Sequence, residues 1–293
     1  MLWAALISVT WMHASGARAW IFHEHARIAL HGMMALSPED RALLGQLWDL
    51  TQDKSSKQLC SHPARLSLDE DDPKLCVGLA ALPAIAADHS CSPQDMWQSS
   101  SKEEWVLEVL GIAGTVESRL AKSSNPKEKI GIWNYSNLVL QRADENYASR
   151  AGANNGHFDR WRSQSEQSTP LYLNRVLKQG RPLDTTSLYT IYHLAALRFA
   201  AEAGRLPANS PERKHWAGMS IRAEMFALHF LEDSFSAGHF VGTWGGVALR
   251  KGTHDYYCAH GVPATTWNGF TYSAYGDAHM KPMDLQRSSA ACR

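Results

Sequence analysis

The chain has 293 residues, 44% of them apolar, which suffices to bury a core in one substantial domain or two small ones; one domain is the expectation. Lysine plus arginine equals aspartate plus glutamate at 29 each, so the formal charge is zero and no basic surface built to track a polyphosphate is advertised. Histidine is the unusual component, with 14 residues, several beside acids at short spacings, and that points toward metal.

The first nineteen residues read as a signal peptide. An apolar stretch reaches Trp11, and Ala17 and Ala19 make an A-x-A cleavage signal, although no Lys or Arg stands near Met1. Cleavage there predicts a secreted or periplasmic protein whose mature chain begins at Trp20 with a free amine; the alternative is a buried first helix. The mature chain, 20–293, is expected to hold its core in about 20–260 and an irregular tail in 261–293. No transmembrane span is read in it.

Three helix starts share one signature. Ser37-Pro38-Glu39-Asp40, Ser92-Pro93-Gln94-Asp95 and Ser210-Pro211-Glu212 each offer a Ser cap, Pro at the first helical position and an early acid. After the first, Leu43, Leu44, Leu47 and Trp48 recur at helical spacing. The run from Leu188 to Ala203 does the same before Gly204, which reads as a stop. Thr51 to Lys74 and Ser123 to Lys129 are polar and loop-like, and alternating strand patterns are scarce. These features predict an all-α, single-domain chain with long functional loops. Of the five cysteines, Cys60 and Cys76 bracket a polar loop that a disulfide can close in an oxidising compartment, and the odd count leaves one unpaired or paired between chains.

The sharpest stretch runs from His229 through Asp233 and Gly238 to His239, and on to His254, Asp255 and Cys258. His229 and Asp233 are four apart on one helix, so both project from one face and can grip one ion. His239, ten beyond His229, would lie roughly 80° away around a continuous helix, which predicts that it serves another ion. Gly238 could end that helix and aim His239 at a neighbouring site, leaving Asp233 to bridge. His254 and Cys258 repeat the four-residue spacing, while Asp255 points off their face. A lone histidine on an apolar helix is more often a hydrogen-bonded core residue; the joint spacing argues for metal.

With these residues in view, the chain resembles the zinc-dependent bacterial phospholipases C, relatives of the fungal single-strand-specific zinc nucleases. In that superfamily the mature first residue is a tryptophan whose amine and carbonyl bind zinc, with a histidine ligand soon after. Here Trp20 is followed by His23 and His25, the latter at the distance the nuclease branch uses. The middle motif of the family matches His229, Asp233 and His239, and its following histidine matches His254. The family's remaining histidine is matched to His157, which is followed by Phe158. Its remaining aspartate is Asp88, at the end of an apolar helical run, or else Asp144, thirteen residues before His157; Asp88 is preferred. Where the family has Glu or Asp four after its last histidine, this chain has Cys258, a zinc ligand or a disulfide partner.

The resemblance implies a helical bundle of that type and three zinc ions: one on Asp88, His157, His229 and Asp233, one on His239 and His254, and one on Trp20, His25 and Asp233. Asp88 would orient or deprotonate the attacking water. The implied activity is cleavage of phosphatidylcholine-type lipids at a membrane surface to diacylglycerol and a phosphorylated head group; no stable protein partner is inferred. One alternative is a single-strand-specific zinc nuclease, the one reading in which nucleic acid is the substrate; a second is a non-catalytic, zinc-stabilised secreted binding protein.

Overall fold

A computed structural model of the chain describes residues 21–52, 57–62, 75–147, 149–150, 155–159, 168–179, 184–241, 251–265, 269–276 and 279–293. The expected leader and Trp20 lie outside the described residues. The chain is mostly helical, as its sequence predicts, with twelve helices and one small antiparallel hairpin among the described residues. None of these helices is long and apolar enough to cross a membrane.

The N-terminal half carries α1 (Phe22–Met34), α2 (Pro38–Thr51), the short α3 (Leu82–Ile85), α4 (Pro93–Lys102), α5 (Glu104–Lys122) and α6 (Pro126–Ala143). The C-terminal half carries α7 (Thr169–Gln179), α8 (Thr185–Gly204), α9 (Pro211–Asp233), α10 (Ala237–Val241), α11 (His254–His260) and α12 (Pro282–Ala291). All three Ser-Pro signatures start helices, and in each the Ser hydroxyl accepts a backbone N–H three residues on, from Asp40, Asp95 and Arg213. Such a cap satisfies one of the orphan donors of the first turn and stabilises by about 1 kcal/mol.

Three expectations about boundaries change. Helix α6 begins at Pro126, inside a segment that reads as loop, because Asn125 caps it by accepting the Lys127 N–H. Gly204 is the last residue of α8 rather than a left-handed stop; the chain leaves through Arg205 in right-handed helical geometry. The tail beyond Gly261 is not irregular: β1 (Val262–Thr265) pairs with β2 (Thr271–Ala274), Val262 opposite Ala274 and Thr265 opposite Thr271, and α12 follows. Short strands with so little alternation leave a weak sequence signal.

Helix α9 is the axis of the molecule. It lies along α8 and packs against α2, α3 and α4. Its residues Met225 to Phe230 are buried on every side, as a helix in the middle of a core must be. Ile221, Met225, Phe226, Leu228 and Phe230 join Trp48, Leu82, Ile85, Met96, Val106 and Leu110 in one apolar cluster. The last turn of the same helix then turns polar, with His229, Glu232 and Asp233 all fully buried. Cys60 and Cys76 form a disulfide that closes the polar loop between α2 and α3.

Candidate metal centre

Buried charged groups are costly unless paired or bound to metal, so the polar end of α9 requires an explanation. Four separate parts of the chain meet there. Helix α1, whose Ala26 and Ile28 are wholly buried, brings His25 against α9. The turn after α3 brings Asp88. A single 3-10 turn, Asn155–His157, brings His157, and it is tied down by hydrogen bonds from Asp159 N–H to the His239 carbonyl (3.1 Å) and from Thr185 N–H to the Phe158 carbonyl (3.3 Å). Helix α9 ends at Asp233, not at Gly238. The turns at Ser234 to Ser236 then redirect the chain so that α10 points His239 back at the carboxylate.

Asp233 is the hub. Its Oδ2 lies 2.7 Å from Nδ1 of His157 and 3.3 Å from Nε2 of His229, while its Oδ1 lies 3.5 Å from Nε2 of His25 and 3.4 Å from Nδ1 of His239. Nε2 of His157 reaches 3.3 Å from Oδ1 of Asp88. Three overlapping sets can each hold a metal ion: His25, His229 and Asp233; Asp88, His157 and His229; and His157, Asp233 and His239. Every member is buried. Buried His and Asp clusters able to hold metal are thus a feature of the fold.

The polar atoms that converge are left unsatisfied by the protein itself. His25 Nε2, His157 Nε2, His239 Nδ1 and Asp233 Oδ1 are all buried without a hydrogen-bond partner. Each such atom costs about 1–3 kcal/mol, so four in one place form a cavity chemistry that a cation completes. The surroundings orient the rings for it. Nδ1–H of His229 donates to the Pro83 carbonyl at 2.8 Å, which turns Nε2 toward Asp233. Nδ1 of His25 meets Oε2 of Glu232 at 2.5 Å, which turns Nε2 toward Asp233. An imidazole and carboxylate set of this kind suits zinc and its first-row neighbours.

Electrostatics follow from these contacts. Burial opposes ionisation of Asp233, yet the imidazoles of His239, His229 and His157 outweigh it and hold the carboxyl well below its usual range. Burial also opposes protonation of His229, but Asp233 and Asp88 raise it to about 9. Burial, with His229 beside it, pushes His25 well below the ordinary imidazole value. Burial and the Asp233 charge push Glu232 well above the carboxylate range.

The expected ligands fall into three groups. His25, Asp88, His157, His229, Asp233 and His239 are brought together. His254 stands at the edge: its ring centre is 4.9 Å from that of His239, but it belongs to none of the three sets, so His239 faces Asp233 rather than sharing an ion with His254 alone. Trp20 lies outside the described residues. Asp144 is elsewhere, 2.9 Å from Nδ1 of His89 and held by both carboxylate oxygens to Arg150 at 2.9 and 2.8 Å. Asp255 does not point away but places Oδ1 3.0 Å from Nδ1 of His254. Gly238 serves close approach instead of helix termination, since a Cβ there would strike the His254 ring and lie 2.7 Å from the Cys258 sulfur. Glu232 is the residue that sequence reading missed; its signal was only an acid next to Asp233 in a buried helix.

Asp88 follows Ala87, whose φ of 57° is the single positive value at a non-glycine among the described residues. That left-handed kink lets the Asp88 N–H bond the Ala86 carbonyl at 2.5 Å and turns the carboxylate inward from the end of α3. Beside it opens a cavity of about 450 Å3, lined among others by Ala87, Arg150, Tyr192, Phe226 and Phe230. The ring of Phe230 also stands 6.0 Å from His157 and 5.4 Å from His229, so the cavity and the metal centre share a wall.

Compared with protein-family models, with curated proteins and with solved structures, the chain matches none.

Proposed function

We propose that this chain is an exported zinc-dependent phosphodiester hydrolase of the phospholipase C type, acting on phosphatidylcholine-type lipids. The observation that carries the reading is the ring of unsatisfied buried donors around Asp233, on the His-x3-Asp-x5-His spacing that also carries the family resemblance. Zinc is the proposed ion and three the proposed number, held by His25, Asp88, His157, His229, Asp233, His239 and His254, with Trp20 contributing its amine and carbonyl. The Cys60–Cys76 disulfide is in keeping with export to an oxidising compartment.

Clustered divalent ions would neutralise a phosphodiester's oxygens, lower the pKa of bound water toward about 7 and stabilise the leaving alkoxide. The chain supplies the positioning. Asp233 binds at the centre of the imidazoles, and Glu232 and the Pro83 carbonyl keep His25 and His229 in one orientation. Asp88, the most exposed member of the ligand sets at 7%, would orient or deprotonate an attacking water. Tyr192, Phe226 and Phe230 form an apolar wall of the neighbouring cavity, against which an apolar substituent would pack.

A second reading is a nuclease for single strands, in which aromatic rings would stack the base beside the scissile phosphate. Hydrolysis assays on phosphatidylcholine vesicles and on single-stranded DNA, each with and without chelator, test the proposal. Lipid cleavage that chelation abolishes and zinc restores is the expected result. Cleavage of DNA alone would move the assignment to the nuclease, and a metal-loaded protein that cleaves neither would be a binding protein. Lipid cleavage that survives exhaustive chelation would overturn the metal mechanism.

A further inference from the structure

The neutral total of the chain hides a local excess of positive charge. Between residues 119 and 143 stand five bases, Arg119, Lys122, Lys127, Lys129 and Arg142, and one acid, Glu128. The bases lie at the end of α5 and along α6, and all five are exposed. At about 100° per residue, Lys127, Gly131, Tyr135, Leu138 and Arg142 share one outer face of α6, within about 80° of arc. Glu128 falls about 100° from Lys127 around the helix and accepts the Ser123 hydroxyl at 2.6 Å.

Apolar groups occupy the middle of that stripe. Tyr135 is 54% exposed and Leu138 47%, on a helix whose opposite face is packed: Ile132 and Trp133 are buried with Val116 of α5 and with Ile21. The Arg119 guanidinium lies over the Tyr135 ring at 5.7 Å, which brings a base from α5 to the edge of the stripe. A Cβ on Gly131 would meet nothing within 4 Å, so the stripe is open there. Its place in the fold is specific. Trp133 stacks on His23 at 5.6 Å, two residues ahead of His25, and α6 ends in Asp144, the carboxylate that holds Arg150 in the cavity wall. Helix α6 therefore joins the segment ahead of the metal centre to the rim of the cavity beside it.

We propose that this face of α6, with the end of α5, docks the protein onto anionic lipid surfaces. The charge pattern fits that partner: Leu138 and the Tyr135 ring enter the boundary between head groups and chains, while Arg119, Lys127 and Arg142 on either side pair with anionic lipids. A zwitterionic surface carries no net charge to attract the bases, so the stripe selects by lipid composition. Single-stranded nucleic acid would use the bases and the Tyr135 ring but gain nothing from Leu138, which favours lipid. The proposal rests on the lipid reading given above and deepens it, because it names the surface by which the protein reaches a bilayer and the lipid that recruits it.

Co-sedimentation of the full mature protein with vesicles of phosphatidylcholine alone, and of equal parts phosphatidylcholine and phosphatidylglycerol, tests docking apart from catalysis. Binding should be stronger to the mixed vesicles and should fall with added salt. Lys127→Gln and Arg142→Gln should each lower the partition coefficient on mixed vesicles about fivefold, and together about 20-fold. Leu138→Ser should weaken binding by a factor that salt does not alter. Arg205→Gln, at an exposed base just past α8, should leave binding unchanged. Equal binding to both vesicles, or an equal loss in Arg205→Gln, overturns the docking surface, and continued cleavage of phosphatidylcholine then leaves the hydrolase reading standing. Docking through the stripe by a protein that cleaves no lipid keeps the surface and removes the hydrolase reading. Single-stranded DNA that binds through Lys127 and Arg142 while vesicles do not bind makes the partner a nucleic acid and overturns the proposal.

Discussion

Oε2 of Glu232 lies 2.5 Å from Nδ1 of His25, both side chains wholly buried, although 207 residues separate them in the chain. The carboxyl group holds the ring with Nε2 toward Asp233, and the Cys292 thiol approaches its other oxygen at 3.8 Å. Outer partners of this kind typically change metal affinity by about 10–100-fold when removed. Glu232→Ala is expected to weaken metal binding by that factor in a competition titration with a chromophoric chelator. Glu232→Gln should recover part of the loss because its amide can still hydrogen-bond Nδ1; affinity unchanged in both variants would remove Glu232 from the site.

Asp233 touches four imidazoles, Asp88 one. Asp233→Asn is therefore expected to lower the metal content by more than one ion and to abolish hydrolysis. Asp88→Asn should lose at most one ion while lowering kcat by about 10²–10⁴-fold, the usual contribution of a positioned base. Metal analysis of the purified variants beside initial rates checks this. A full metal complement in Asp233→Asn would remove it from the centre.

The left-handed residue ahead of Asp88 gives a stability prediction. A non-glycine residue in that conformation costs about 1–2 kcal/mol. Ala87→Gly relieves the strain but loosens the unfolded chain by about 0.5–1 kcal/mol relative to Ala, so the net change should lie within about 1 kcal/mol. Ala87→Val, branched at Cβ and 3% exposed, should be destabilising by more than that and should disturb Asp88. Urea unfolding of the metal-free proteins measures both; equal stability of the valine and glycine variants would contradict the kink.

Asp144 supplies a pH dependence away from the metal centre. Burial opposes its ionisation, but the His89 hydrogen bond and charge, with Arg150, hold its carboxyl below the ordinary value of 3.8. A carboxyl depressed on folding contributes stability above its unfolded value, and that contribution is lost as pH falls through the folded one. Between pH 7 and pH 3, Asp144→Asn should therefore flatten the acid side of the melting profile and lower the melting temperature most at neutral pH. A uniform offset at every pH would mean that the charge of Asp144 contributes nothing.

Local rules made much of the helical architecture readable in advance. The Ser-Pro starts of α2, α4 and α9 were legible because a cap, a fixed φ and an early acid act within one turn. The pairing of His229 with Asp233 was legible for the same reason, since four residues on a helix settle the shared face. Less visible were α6, started by Asn125 in a polar stretch, and the hairpin after Gly261, whose four-residue strands carry almost no alternation.

The sequence by itself determined which residue types were available for an ion and where α9 would present two of them. Only tertiary structure decided the rest: that the chain breaks at Ser234 so His239 returns to Asp233, that Asp88 and not Asp144 reaches His157, that Glu232 orients His25, and that Asp255 meets Nδ1 of His254. Spacing along a helix is a local geometric quantity. Contact between residues 72 and 207 positions apart, such as His157 with His229 or His25 with Glu232, is set by how buried helices pack, and no window of sequence contains it.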